Sequence, residues 1–441
     1  MNEQITSLTY VESKIHPGRW LAVGCLMLFY AISIIDRFIL SAVAQPVTQS
    51  LGLSNTQMGL LLGAGFAILY ALAGVPVAYL IDKGNRTRIV IGGVLLWSSM
   101  TAASAFTIDF STLIICRAGV AIGEAVLTPA ALSLIGDMFV RKERALPTSL
   151  YMATGNMMAT GAFLIGGAVY QYAGTQTLIT AMEPWRFTLL AVSIPGFLMV
   201  ALFALTVREP ERVTSQPTQE AQGTGVDALL PFLRNHKTMF IPFFIATGMI
   251  SSLTLGVVSW APTLLIRLHD LTASNASFVF GSVGLPFSVF GTLFLPWLAN
   301  RLQKAGRQDG IVLILLLSVA IPAPTIIFGL LMGQYWLLVA AFSICMMFLP
   351  TISVLTCLGM QMISPSRLRA RTVAVNLLVI NLFGYTVGPL LSGFLADRVF
   401  TGLNAIASAL ALMAAIIGPT AILGFLLSRR SFARMMSIQK D

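Results

Sequence analysis

Apolar runs of about twenty to thirty residues recur along the whole 441-residue chain, separated by short clusters of charge. Roughly 20 consecutive apolar residues cross the hydrocarbon core of a bilayer as a helix, and nearly every run reaches that length. Composition agrees: hydrophobic residues make up 56% and charged residues 10% of the chain, with a mean hydropathy of +0.85. Soluble domains carry roughly 25% charge. The expectation is an all-α, multi-pass integral membrane protein.

Twelve transmembrane helices are predicted. In the first half they fall at about 20–44, 57–81, 88–107, 112–138, 146–172 and 187–207. In the second half they fall at about 239–266, 276–299, 310–331, 335–362, 372–396 and 403–428. Tilt accommodates the longer runs. Glycine and proline recur inside them (Gly63, Gly161, Gly166, Gly384, Gly388, Pro389), which membrane helices tolerate and use for close packing.

The distribution of Lys and Arg orients the chain. Of the 27, all but five fall in the even-numbered connections or the two termini. Arg186, Arg267 and Arg398 lie on the opposite side, and Arg37 and Arg117 lie within spans. Both termini are therefore expected in the cytoplasm, in a plasma (inner) membrane. The net charge of +10 is then a topology signal and gives no support to nucleic-acid binding. The polar start, Met1 to Arg19, leads into a segment longer than the apolar core of a cleavable signal, so none is expected.

A stretch rich in Pro, Gln, Thr and Gly, about 208–237, reads as a cytoplasmic linker. It divides the chain into a first six-helix bundle, 1–207, and a second, 238–441. The halves echo each other. R-A-L-P-T-S-L-Y entering helix five resembles R-T-V-A-V-N-L-L entering helix eleven, and 17 residues on from Arg144 and Arg371 stand Gly161 and Gly388.

Enzyme chemistry finds little in this chain. Cys25, Cys116, Cys345 and Cys357 fall in apolar segments without metal-site spacing. His16, His236 and His269 lie outside the spans, and no G-x-x-x-x-G-K-[ST] loop is present to bind ATP. No cofactor and no metal are expected, and a proton gradient is the expected energy source.

Four charges inside spans stand out: Asp36 and Arg37 in helix one, Arg117 and Glu124 in helix four. Ionised groups at that depth are costly and by default mark a substrate or ion pathway. Arg117 and Glu124 are seven residues apart, so they share one helix face and differ in depth by roughly 10 Å. Helix one runs outward and helix four inward, which brings Asp36 and Arg37 near the level of Arg117. The expected arrangement pairs Asp36 with Arg117 and lets Arg37 reach Glu124. The competing reading is a fixed ion-pair network that only sets helix packing, although a buried pair is poor value as pure glue. In the functional reading, Glu124 or Asp36 carries the coupling proton while Arg37 and Arg117 hold an anionic substrate. Tyr151 and Asn156 on helix five are further candidate cavity groups. The polar residues of the second half, including Asn376, Asn381 and Tyr385, read as packing and hydrogen-bonding groups.

Several motifs resemble the major facilitator superfamily. A-Y-L-I-D-K-G-N-R after helix two resembles its G-x-x-x-D-R-x-G-R-R signature: Asp82 and Arg86 match, Lys83 stands for its arginine, and Ala78 and Asn85 replace its glycines. Y-A-I-S-I-I-D-R in helix one, R-A-G-V-A-I-G-E-A in helix four, L-S-L-I-G-D-M-F after it and T-V-R-E-P-E-R closing helix six resemble the spinster branch. The resemblance covers about residues 20–212 and thins in the second half.

It implies two six-helix bundles alternating access around a central site. It also implies a cytoplasmic gate that includes Asp82, Lys83, Arg86, Asp137 and Arg141, with Asp82 meeting the start of helix eleven near Arg371. The implied substrate is lipid-like, a lysophospholipid or sphingoid phosphate, and the protein is expected to work as a monomer in the lipid bilayer. The alternative is a proton symporter for small organic anions such as sugar acids or aromatic carboxylates. A non-transporting receptor or a channel is the remaining alternative.

Overall fold

The computed structural model describes residues 18–140, 142–175, 182–212 and 226–438. Among them every regular element is helical. The first half comprises α1 (Arg19–Ala42), α2 (Ala44–Leu51), α3 (Asn55–Leu62), α4 (Ala64–Lys83), α5 (Arg86–Ser104), α6 (Phe110–Glu124), α7 (Leu127–Met138), α8 (Ala145–Thr175) and α9 (Pro184–Thr206). A short helix, α10 (Val226–Asn235), lies within the stretch read as a linker. The second half comprises α11 (Lys237–His269), α12 (Ala273–Lys304), α13 (Gly310–Ala320), α14 (Pro322–Leu331), α15 (Tyr335–Phe348), α16 (Thr351–Ile363), α17 (Arg369–Arg398) and α18 (Ala405–Ile438).

Among the described residues ten spans are long and apolar enough to cross a membrane unaided, and α8, bent by 42° between Gly155 and Met157, makes an eleventh. The remaining predicted span, 88–107, is helical as α5. Arg88 and five hydroxyl side chains in its 19 residues leave it less apolar than the others.

Several runs read as single helices are broken in two, and proline explains three of the breaks. Pro322 and Pro350 sit at the junctions α13/α14 and α15/α16. Pro129, in the first turn of α7, lacks an N–H and its ring would collide with the carbonyl of Ala125 in a continuous helix. Helix four therefore breaks directly after Glu124. The second span breaks at Gly63, whose missing side chain admits the carbonyl oxygen of Tyr385 from the other half; Gly59 admits that of Pro389 in the same way.

These contacts belong to a larger pattern. The halves are joined at the end away from the basic connections, here called the far end. Asp397 of α17 bonds the start of α3, Arg267 Nε donates to Gln45 Oε1 at 2.8 Å, and Ser277 Oγ donates to the Ala42 carbonyl at 3.1 Å. Ser274 Oγ donates to the Gly167 carbonyl at 3.0 Å, and Phe163 meets Phe280 edge to face at 4.9 Å. Toward the basic end, Asp82 and Lys83 are exposed.

Candidate functional site

Arg37 projects from the last two turns of α1, toward the far end, and Glu124 from the last turn of α6. Arg37 Nη2 lies 2.7 Å and Nε 3.3 Å from Glu124 Oε2. The Glu124 side chain is fully buried, whereas Arg37 keeps 14% of its side-chain surface. Arg37 is thus the more exposed member of the pair. Gly123, beside Glu124, lets α6 approach α5 so closely that a Cβ there would lie 2.7 Å from the Gly93 carbonyl oxygen. That contact, together with the break at Pro129, fixes the depth and direction of Glu124.

Aromatic rings surround the Arg37 guanidinium. Its Cζ lies 4.7 Å from the Phe66 ring centre, 5.1 Å from Tyr70 and 5.6 Å from Tyr385. Phe66 and Tyr70 are four apart on α4 and present one face. Tyr385 comes from α17, so the second half reaches the charge cluster through an aromatic ring. Each such contact contributes about 0.5–2 kcal/mol when desolvated. Sequence reasoning set Tyr385 aside as packing and passed over the Phe66–Tyr70 spacing, which was legible as a ring pair facing the same side as the charges.

The expected Asp36–Arg117 side-chain pair is not formed. Arg117 instead donates to backbone carbonyls of α1, Nη1 to Asp36 at 3.3 Å and Nη2 to Arg37 at 3.5 Å. Its guanidinium also lies 5.4 Å from the Phe66 ring. Both Asp36 carboxylate oxygens are buried without a hydrogen-bond partner among the described residues. They face a small cavity shared with Thr101, Ser104 and Arg117. The physical reason is reach: Asp36 and Arg37 point in different directions around α1, and Arg117 lies closer to the α1 backbone than to the carboxylate.

Tyr151 is buried, stacks on Tyr30 at 4.6 Å and shares a hydrogen bond with Thr128 at 3.2 Å. Its hydroxyl is therefore tied to α7. The α8 helix passes through Asn156, whose side chain lies outside the described residues, as does Arg141.

At the basic end the structure brings Arg86 and Asp137 together and adds a residue that the sequence reading did not single out. Arg86, almost wholly buried, donates to Asp137, to Glu209 Oε1 at 2.7 Å, to Ser133 Oγ at 3.1 Å and to the Pro210 carbonyl at 3.0 Å. Glu209 Oε2 accepts from the Thr87 amide at 2.8 Å and its hydroxyl at 2.7 Å. Burial raises the Glu209 pKa, but Thr87 and Arg86 outweigh it and hold the carboxyl below its ordinary value. Arg212 donates to the carbonyls of Ile81, Asp82 and Gly84, and Lys83 donates to the Tyr79 hydroxyl at 2.7 Å. The R-E-P-E-R segment thus staples the turn after α4 from below. Its two acids and two flanking arginines were the available signal.

The sequence matches the Major Facilitator Superfamily over residues 26–382. The chain belongs to this superfamily. Its members are transporters, and catalysis is not their business. This superfamily member is 28% identical over 405 residues to an MFS-type efflux pump of Mycolicibacterium smegmatis, covering 89% of this chain and 88% of that one. It is 24% identical over 409 residues to a sphingosine-1-phosphate transporter of Xenopus tropicalis, covering 86% and 74%. Among solved structures it is similar to a bacterial homolog of the human lysosomal transporter spinster, in an inward-facing and unoccupied conformation. That match has a TM-score of 0.78 and 25% identity, and covers 96% of this chain and 98% of that chain. The spinster resemblance read from the first-half motifs therefore extends along nearly the whole fold.

Proposed function

We propose that this protein is a proton-coupled secondary transporter of an anionic amphiphile, a lysophospholipid or sphingoid phosphate, and that Arg37 takes the head group. One observation carries the reading: Arg37 is bonded to a fully buried carboxylate through Nε and Nη2 while part of its surface stays open. Protonating Glu124 removes the negative partner and leaves a buried cation, which is costly unless another anion replaces it. Proton and anion therefore bind together, and the cluster is charge-balanced either with both or with neither. Asp36 is the reserve proton carrier, beside Arg117. The aromatic box of Phe66, Tyr70 and Tyr385 gives the head group's apolar neighbours a surface to lie on.

In this reading the basic end and both termini face the cytoplasm, in keeping with the charge asymmetry. Contacts at the far end then correspond to a state closed outward, and Asp82 waits exposed for the opposite state, in which it meets the start of α17. The protein works as a monomer in the plasma (inner) membrane, and residues 208–237 link the two bundles.

Uptake of labelled lysophospholipid into proteoliposomes, competed by a panel of small carboxylates, tests the substrate class. Competition by unlabelled lysolipid alone is the expected result. Competition by the carboxylates alone moves the assignment to small organic anions.

A further inference from the structure

The start of α3 is capped from the other half of the molecule. A helix leaves its first four N–H groups without partners inside the helix. Ser54 and Gln57 satisfy two of them reciprocally: Gln57 N donates to Ser54 Oγ at 3.1 Å and Ser54 N to Gln57 Oε1 at 2.9 Å. The other two go to one carboxylate on α17. Asn55 N donates to Asp397 Oδ1 at 3.2 Å and Thr56 N to Asp397 Oδ2 at 2.6 Å. The side chains add two more bonds, Asn55 Nδ2 to Oδ1 at 2.7 Å and Thr56 Oγ1 to Oδ2 at 2.6 Å. Asp397 is separated from these partners by more than 340 positions in the chain.

The capping therefore differs from that of α6, whose first turn is capped by its own Asp109 through Thr112. Two donors of α3 depend on the halves being together. The backbones beneath them are also matched for contact: Gly393 admits the Asn55 carbonyl, and Gly59 and Gly63 admit those of Pro389 and Tyr385. A carboxylate at a helix start gains from the helix dipole, and hydrogen bonds to an ionised acceptor are roughly twice as strong as neutral ones. When the halves part at this end, the four bonds break together.

We infer that Asp397 is the latch of the far gate: it sets how often this end opens, without touching the substrate. Arg267, which bonds Gln45 across the same seam, supports the closed seam from α11. The inference rests on alternating access. It does not depend on the substrate or on the proton carrier, because its readout needs neither.

The test is the accessibility of a cysteine placed at Ser277, which is 1% exposed and bonded across the seam. A membrane-impermeant maleimide is added on the side of the far end to the Ser277→Cys parent and to the same parent carrying each variant below, with the protein bearing only its native cysteines as the background. Asp397→Asn, which removes the charge, is expected to label roughly tenfold faster, as follows from losing charge-assisted bonds. Thr56→Val, which removes one donor, is expected to fall between the two and serves if the first variant does not fold. A residue that only caps a helix lowers the melting temperature without changing labelling. Labelling within twofold of the parent in both folded variants, whatever the melting temperature, overturns the assignment.

Discussion

Arg37 on α1 and Glu124 on α6 form a 2.7 Å ion pair in which the acid is sealed and the base is partly open. In the proposed function that asymmetry separates the two roles: a proton would reach Glu124 by way of the site, and an anion would meet Arg37. The acid also stands at the end of α6, directly before the break that leads into α7.

Glu124→Gln keeps the shape and a hydrogen-bond acceptor but removes the titration. Substrate accumulation driven by an imposed proton gradient is expected to fall at least about tenfold, in line with the loss of a charged hydrogen bond. Exchange of labelled for unlabelled substrate at equal pH persists. Gradient-driven accumulation at the parent level in this variant removes Glu124 from coupling and leaves Asp36 as the carrier.

Tyr385 is the aromatic contact from the second half to Arg37. Tyr385→Phe keeps a ring face over the guanidinium and is expected to leave KM within about twofold. Tyr385→Leu removes it, and loss of about 0.5–2 kcal/mol corresponds to roughly two- to thirtyfold in KM. Transport kinetics of the two variants side by side check this, and equal KM values would assign Tyr385 to packing.

Glu209 links stability to pH at the basic end. Its folded pKa is held below the ordinary value of 4.5, so its contribution is complete above that value and is lost as pH falls through the lowered folded pKa. Glu209→Gln is expected to cost roughly 1–3 kcal/mol near neutral pH, and the gap to the parent should close at acid pH. Thermal melting of both proteins in detergent across the acid range measures the gap. A gap that widens on acidification contradicts the sign.

Much of the fold was legible because the apolar runs and charge clusters follow directly from the bilayer. The Arg37–Glu124 pair was legible for a similar reason, since seven residues on a helix return to one face and charges at that depth must find each other. Asp36 was not. The sequence offered Arg117 as its partner, but which side of α1 a guanidinium approaches depends on tertiary packing, and the α1 carbonyls took its donors. Pro129 was visible throughout, yet its effect on helix direction mattered only once Glu124 was seen at the break. Glu209 was signalled only by the charge density of its R-E-P-E-R segment. Asp397 was hidden more deeply, since it acts on a backbone brought near by the chain's return, and no local pattern announces such a partner.

The central claim is that a proton enters the cluster when the anion binds Arg37. It is tested most directly by titrating detergent-solubilised protein with lysophospholipid in buffers of different ionisation enthalpy and counting the protons taken up. Linkage predicts uptake of up to about one proton per lipid bound for the parent, and none for Glu124→Gln. The same proton count in both proteins would contradict the account.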